Sequence, residues 1–339
     1  MPKVDMPLEE LLLYRGTNPR PADFDAYWER GLAEMESVVP DVELAPADFT
    51  SSVADCFDMT FTGVRNARIY AKLLKPKQSL RLKNTGTGAD TGAGVGTGTG
   101  AGCPALLVFH GYSMDSGDWV SLLPYAAEGF VVAALDCRGQ GGRSEDTGGV
   151  VGNTLEGQIV RGLDGDPDDM LMRHIMLDTA QLAKLVMAMD EVDPTRVAAC
   201  GGSQGGGLSL ACAALAPAIA RLAPCYPFLC DYQRVWEMDL ANTAYDELVF
   251  YFRRFDPRHQ RENEVFTQLG YVDVQHLAPR IKGEVLMACG LMDEVCPPST
   301  QFAAYNKIAS KKNYVLYPDF GHEGLAGWND ISFTFLKSM

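Results

Sequence analysis

The stretch Val197-Ala-Ala-Cys-Gly-Gly-Ser-Gln-Gly-Gly-Gly-Leu-Ser-Leu-Ala211 decides the fold of this 339-residue chain. It begins with an apolar run typical of a buried strand and ends with an apolar helical segment. Between them, Gly201-Gly-Ser203-Gln-Gly205 matches G-x-S-x-G, a sharp turn that holds a serine hydroxyl exposed above a sheet. Glycine at both ends removes the Cβ atoms where strand and helix approach closely. We therefore predict that Ser203 is a nucleophile, with a glycine-rich helix cap as the alternative interpretation.

Short apolar runs bounded by glycine, proline or polar residues recur on both sides of this turn. They lie at 105–109, 131–136, 197–200, 222–225, 285–289 and 314–317, preceded by strand-like runs at 56–62 and 67–74. Helical patterns occupy 23–35 and 166–189, the latter with Asp166 as its cap and Pro167 in the first turn. This β–α alternation predicts an α/β protein, a single domain over 1–339 with a doubly wound, mostly parallel sheet.

Two segments interrupt the alternation. Residues 84–102 are mainly glycine, threonine and alanine, and no GK[ST] follows them as a phosphate-binding loop would require. We predict that this segment is a flexible surface insertion. Residues 231–280 form an aromatic, mostly helical stretch, which we predict to be a small helical cap insertion over the site.

Two backbone amides are candidates for stabilising an oxyanion. Gln204 follows the nucleophile at the start of a helix, where the helix dipole points positive charge at a developing anion. His110-Gly111-Tyr112 ends an earlier strand, the place where hydrolases of this kind supply the second amide. We assign that amide to Tyr112. His110 precedes the nucleophile, so we expect its ring to orient the loop rather than to act as the base.

An acid and a base follow later strands. Asp293 lies on the loop after the run at 285–289, with Glu294 as the adjacent competitor, and a carboxylate there would orient an imidazole. His322 lies in a turn after the last strand. The order Ser203, Asp293, His322 is that of the α/β-hydrolase fold.

Five side chains remain outside this assignment as weaker candidates. For the other histidines, His174, His259 and His276, we expect surface or capping roles. Asp136-Cys-Arg-Gly-Gln-Gly-Gly follows another strand, so Arg138 and Gln140 could contact substrate. The alternative, which we favour, is a turn held by Arg138 on a buried carboxylate.

Charge and cysteine content restrict the function. The formal net charge is −15, with 22% charged and 47% hydrophobic residues, which disfavours nucleic acid and anionic membranes as partners. The first residues lack a charged segment followed by an apolar run, so we expect a cytoplasmic protein. The nine cysteines form no CxxC or Cys/His cluster, which favours reduced thiols over a zinc site. We predict no cofactor and no metal.

Together these motifs resemble the acetyl xylan esterase/cephalosporin C deacetylase family, carbohydrate esterase family 7. The similar parts are His110-Gly-Tyr, Arg138-Gly-Gln-Gly-Gly, Gly201-Gly-Ser-Gln-Gly-Gly, the Asp293 loop, His322-Glu323 and the N-terminal Asp23-Phe-Asp-Ala-Tyr-Trp. The glycine-rich run at 84–102 departs from the family pattern.

The resemblance implies an esterase that removes acetyl groups from short xylo-oligosaccharides and cephalosporin C. It implies Ser203, Asp293 and His322 as the triad, the amides of Tyr112 and Gln204 as oxyanion donors, and a hexamer built as a trimer of dimers. The alternatives are a broader carboxylesterase, a serine peptidase of the same fold, or a hydrolase-like binding protein without activity. The last usually lacks a triad member, and none is missing here.

Overall fold

The computed structural model describes residues 4–81, 102–147 and 154–339. Apart from Gly102, the glycine-rich segment predicted at 84–102 lies outside these residues. All nine cysteines lie within them and each is a free thiol. Over the same residues, none of the helices combines the length and the apolar character that crossing a bilayer requires.

The described strands form a nine-stranded sheet in the order β1-β2-β3-β5-β4-β6-β7-β8-β9. The strands are β1 Glu43–Pro46, β2 Ala54–Thr62, β3 Arg68–Pro76, β4 Cys103–Phe109, β5 Val131–Leu135, β6 Val192–Gly202, β7 Arg221–Cys225, β8 Glu284–Gly290 and β9 Lys312–Tyr317. Strands β4 to β9 are parallel, and β1 to β3 join them as an antiparallel edge. The predicted α/β class and the mostly parallel, doubly wound sheet are confirmed.

Helices cover both faces of this sheet. They are α1 Leu8–Leu11, α2 Phe24–Ser37, α3 Gln78–Arg81, α4 Trp119–Ala127, α5 Leu171–Met187, α6 Gln204–Leu215, α7 Tyr232–Glu237, α8 Asp246–Phe255, α9 Glu262–Leu269, α10 Val274–Leu277, α11 Pro298–Tyr305 and α12 Trp328–Lys337. Alternate strand residues pack into opposite layers: Leu107 of β4 joins the core beneath α5 and α6, and Leu106 joins the core beneath α4 and α12. This alternation explains why the central strands are apolar throughout. Helices α7 to α10 fall between β7 and β8, within the segment 231–280.

One local expectation was wrong, and one strand was not predicted. The helix expected over 166–189 is divided, because Met170 is extended (φ −64°, ψ 130°). Asp166 caps a separate 3₁₀ turn, Pro167–Asp169, by accepting the Asp168 amide at 3.0 Å, and α5 begins only at Leu171. Strand β1 was not expected, since its four residues are all exposed and lack an apolar pattern.

A buried ion pair ties the loop after β5 to helix α5. The Arg138 guanidinium donates to both carboxylate oxygens of Asp178, at 2.7 and 2.6 Å, and to the Val64 carbonyl at 3.1 Å. Both side chains are at most 1% exposed. Gly63 has no Cβ to obstruct them, and one there would lie 2.5 Å from the Asp178 carboxylate. This is the buried carboxylate that we expected for Arg138.

We predict that Asp178→Asn lowers the free energy of unfolding by about 3–5 kcal/mol, because it leaves a buried guanidinium without its counter-charge. Denaturant titration measures the loss. The matched control is Lys184→Ala, which breaks an exposed pair between Lys184 and Glu36 on the neighbouring helices and should change stability by less than about 1 kcal/mol. Equal losses in the two variants would contradict a special role for the buried pair.

Candidate active site

Ser203 occupies the junction of β6 and α6 in a conformation that non-glycine residues rarely adopt, φ 55° and ψ −120°. Two residues away on either side, Gly201 and Gly205 are packed too closely for a side chain. A Cβ at Gly201 would lie 2.4 Å from the Phe109 carbonyl oxygen, and one at Gly205 would lie 2.0 Å from the same atom. The glycines therefore permit the close approach of β4 on which the turn depends, as the G-x-S-x-G pattern predicts.

The three residues of the predicted triad meet at the carboxyl edge of the parallel strands. His322 Nε2 lies 3.0 Å from Ser203 Oγ, and His322 Nδ1 lies 2.9 Å from Asp293 Oδ2. Ser203 follows β6, Asp293 follows β8 and His322 follows β9. The geometry is that of a nucleophile hydrogen-bonded to a base, which a carboxylate orients in turn.

The carboxylate of Asp293 is held on both oxygens. While Oδ2 faces His322, Oδ1 accepts the amides of Val295 and Cys296 at 2.9 and 2.8 Å, and the side chain is fully buried. The competing candidate, Glu294, is exposed. The structure therefore places Asp293, and not Glu294, against the imidazole.

Of the two predicted oxyanion donors, Tyr112 lines the same cavity as Ser203, and Gln204 follows Ser203 directly. Tyr112 lies on the loop directly after β4, and Gln204 is the first residue of α6. An amide in the first turn of a helix has no carbonyl partner within that helix, so the Gln204 N–H is free to bind an anion.

Glu247 of α8 is a site residue that sequence reasoning missed. Its carboxylate accepts the Tyr112 hydroxyl and the amides of Ile159 and Val160, the amides at 2.8 and 2.9 Å. Burial raises the pKa of Glu247, and these hydrogen bonds oppose the rise. The Tyr112 hydroxyl also accepts the Gln158 amide at 3.1 Å. The Tyr112 ring is thus fixed in position, and nothing in the local sequence around Glu247 indicates this.

A cavity of 740 Å³ opens above Ser203 and His322. Tyr112 and Tyr226 form walls, and Tyr226 packs on the His322 ring with the centroids 4.6 Å apart. Part of the segment 231–280 also lines the cavity, namely Thr243, Ala244, Asp246 and Glu247. Tyr226 is a second site residue that the sequence analysis did not identify, because its position directly after β7 is the only feature of the sequence that relates it to the site.

The remaining histidines lie away from this cavity. His110 accepts the Cys137 amide at 2.9 Å and so holds the loop after β5, in agreement with an orienting role. His259 is at the surface beside Glu262. His174 and His276 are buried, which corrects the expectation of a surface position, and burial lowers the pKa of His174 to about 4 and that of His276 to about 3. His174 lies 3.0 Å from the Asp168 carbonyl, which is a capping contact.

Neither Arg138 nor Gln140 lines the cavity, so the expectation that they could contact substrate is not supported by their positions. Both are fully buried. Arg138 pairs with Asp178, and Gln140 hydrogen-bonds the Gln204 side chain.

Asp293, Cys296 and His322 are grouped closely enough among the described residues to hold a metal ion. However, the Asp293 carboxylate and the imidazole already satisfy each other. Burial, and next the Asp293 charge, raise the pKa of the Cys296 thiol well above its usual range.

A mostly parallel sheet with helices on both faces, and a serine turn between a strand and a helix, define the α/β-hydrolase fold. Comparison with known proteins agrees with this fold class and also identifies the family. The family model of acetyl xylan esterase (AXE1) matches residues 1–84 and 97–339. The chain belongs to the acetyl xylan esterase family and is a carboxylic ester hydrolase.

Two solved structures and one further relative match almost the whole chain. Acetyl xylan esterase 1 from Thermoanaerobacterium sp. JW/SL YS485 is 58% identical, with a TM-score of 0.89 over 98% of this chain and 99% of that one. The acetyl xylan esterase from Paenibacillus sp. R4 is 33% identical, with a TM-score of 0.86 and the same coverage. Acetyl esterase Axe7A of Xylanibacter ruminicola is 27% identical over 323 residues, which are 94% of this chain and 67% of the relative.

We predict that Asp293→Asn lowers kcat by about 10⁴ with little change in KM, because the amide would present its NH₂ group to His322 and impose the wrong tautomer. Steady-state hydrolysis of p-nitrophenyl acetate measures both constants. The matched control is Glu294→Gln, an exposed carboxylate one residue away, which should leave both unchanged. A larger defect in Glu294→Gln than in Asp293→Asn would reassign the acid.

Proposed function

We propose that the chain is a serine esterase that removes acetyl groups from small soluble esters such as acetylated xylo-oligosaccharides and cephalosporin C. One observation carries the proposal: the hydrogen-bonded sequence Ser203–His322–Asp293 lies at the base of an open cavity in a member of the acetyl xylan esterase family. The alcohol part of the ester would occupy the cavity.

In the first half-reaction, Ser203 Oγ attacks the acetyl carbonyl while His322 Nε2 takes the hydroxyl proton. The carbonyl oxygen becomes an oxyanion, which the Tyr112 and Gln204 amides stabilise. The buried Asp293 carboxylate stabilises the imidazolium that has formed. The carbon–oxygen bond to the sugar or other alcohol then breaks, the leaving oxygen takes the proton from His322, and an acetyl group remains on Ser203.

In the second half-reaction, a water molecule attacks the acetyl-serine, and His322 takes one of its protons. The same two amides stabilise the second oxyanion. The bond from the acetyl carbon to Ser203 Oγ breaks, the proton returns from His322 to the serine, and acetic acid leaves and ionises in solvent.

The fixed ring of Tyr112 favours a short acyl group. Hydrogen bonds to Glu247 and from the Gln158 amide hold its hydroxyl, and Phe228 packs against its edge with the centroids 5.5 Å apart. The Tyr112 ring therefore cannot move aside without losing the contacts of its hydroxyl and of its ring. An extra methylene on the acyl side would therefore be accommodated only with strain.

We also propose a homo-oligomer, a hexamer built as a trimer of dimers, and a cytoplasmic location. Membership of the family supports the hexamer, and sedimentation of the purified protein measures the oligomeric state. The cytoplasmic location is supported by nine cysteines without a disulfide, since thiols persist in a reducing compartment.

We predict that Ser203→Ala lowers kcat by about 10⁶ while the thermal unfolding transition is retained. With p-nitrophenyl acetate, the wild-type enzyme should release a rapid burst of p-nitrophenol stoichiometric with active sites if deacetylation is slower than acetylation, and the variant should release none. Retention of activity within about tenfold of wild type would rule out Ser203 as the nucleophile.

We predict that kcat/KM falls by at least about tenfold between p-nitrophenyl acetate and p-nitrophenyl butyrate, the rate equivalent of about 1.4 kcal/mol. The reason is the strain imposed by the fixed Tyr112 wall, which typically costs about 1–3 kcal/mol per overpacked site. An open groove would instead gain about 0.8 kcal/mol per buried methylene. A rise through butyrate would favour the broader carboxylesterase, and cleavage of a peptide amide in the same panel would favour a peptidase.

A further inference from the structure

The Gln140 side chain lies between the two elements that carry the oxyanion donors. Its Oε1 accepts the amide of Ser113, the residue after Tyr112, at 3.0 Å. The same oxygen accepts Gln204 Nε2 at 2.9 Å, and Gln140 Nε2 donates back to Gln204 Oε1 at 2.8 Å. One amide group thus joins the loop after β4 to the first residue of α6.

The orientation of this pair of amides is determined by the backbone. Only an oxygen can accept the Ser113 N–H, so the carboxamide of Gln140 cannot be flipped. That oxygen is shared by the Ser113 N–H and Gln204 Nε2, so the NH₂ group of Gln140 faces the oxygen of Gln204 and fixes its orientation in turn. Gln204 Nε2 has a second, weaker acceptor in Cys137 Sγ at 3.7 Å.

The surroundings make the pair rigid. Gln140 and Gln204 are both fully buried, so water does not compete for their hydrogen bonds. The two loops are also in direct contact, since the Gly141 amide donates to the Met114 carbonyl at 3.0 Å. A Cβ at Gly141 would lie 2.7 Å from the Ser113 carbonyl oxygen. Ser113 itself has a φ of 62°, and its amide would be unsatisfied without Gln140.

We propose that Gln140 is a positioning residue for the esterase reaction, which sets the separation and direction of the Tyr112 and Gln204 amides. The inference rests on the proposed function of those amides. Gln140 does not line the cavity and so acts on the reaction through the two donors. Because the oxyanion exists only after Ser203 has attacked, its contribution belongs to kcat and not to the binding of the neutral ester.

The test compares Gln140→Met with Gln181→Met. Methionine has nearly the length of glutamine without its hydrogen bonds. Gln181 is the matched control, because it is a buried glutamine on α5 whose amide donates to the Thr62 carbonyl at 2.8 Å, remote from the site. The measurements are kcat and KM for p-nitrophenyl acetate, the thermal unfolding transition, and the inhibition constant of methylboronic acid, which adds to a serine as a tetrahedral anion.

For Gln140→Met we expect kcat to fall by about 10²-fold, the loss typical of one misplaced oxyanion donor, with KM within about threefold of wild type. The methylboronic acid inhibition constant should rise with the fall in kcat. Gln181→Met should keep kcat and the inhibition constant, even where it lowers thermal stability. If kcat in Gln140→Met stays within about threefold of wild type, or falls while the inhibition constant is unchanged, the proposal is overturned.

A second variant, Gln140→Glu, separates positioning from folding. A protonated carboxyl keeps one acceptor for the Ser113 amide and one O–H donor for Gln204 Oε1. An ionised carboxyl instead places one of its own oxygens against Gln204 Oε1, with no proton between them. The proposal is supported if activity is close to wild type while the introduced carboxyl is protonated and is lost as that carboxyl ionises at higher pH. A pH profile parallel to that of the wild type would oppose the proposal. Activity remaining in Ser203→Ala would instead defeat the esterase mechanism itself, so the two failures are distinguishable.

Discussion

Ser203 is held at a positive φ by three backbone hydrogen bonds, one to strand β7, one to helix α6 and one to the loop after β7. Its amide donates to the Cys225 carbonyl at 3.1 Å, and its carbonyl accepts the Gly207 and Phe228 amides at 3.1 and 3.0 Å. A residue in such a conformation costs about 1–3 kcal/mol and persists only where its surroundings determine it. Here β7, α6 and the loop after β7 determine it together, and the absence of side chains at Gly201 and Gly205 lets β4 approach. The turn thereby presents the Ser203 hydroxyl to His322.

The parts of the site that the sequence predicts are those fixed by chain order and strand ends. Parallel strands direct their carboxyl ends to one edge, so a serine after β6, an aspartate after β8 and a histidine after β9 can be expected to meet. The same reasoning places Tyr112 after β4. The fold class follows from the apolar strand runs for the same physical reason, because burial on both faces leaves a signal in the local composition.

What the sequence could not predict depends on contacts between distant segments. Glu247 lies on an amphipathic helix like many others, and its burial is created by the loop at 157–160 and by Tyr112. Local signals also fail where an element has no buried face, as in the exposed strand β1. They fail at Met170, where an extended residue divides a pattern that is helical throughout. His174 and His276 show the same limit, because the residues next to a histidine in sequence say little about which distant side chains pack over it.

The oxyanion loop is consequently restrained from two directions by groups of different chemistry. On one side the neutral Gln140 accepts the Ser113 amide, and on the other the acidic Glu247 accepts the Tyr112 hydroxyl. A neutral amide is suited to the side that faces the developing oxyanion through Gln204, because a buried negative charge there would oppose the anion formed in the reaction. The carboxylate of Glu247 is instead satisfied by backbone amides as well as by Tyr112, which offset the cost of its burial. The loop is therefore fixed by a neutral acceptor on the side of Gln204 and by a carboxylate that several donors share on the side of the Tyr112 hydroxyl.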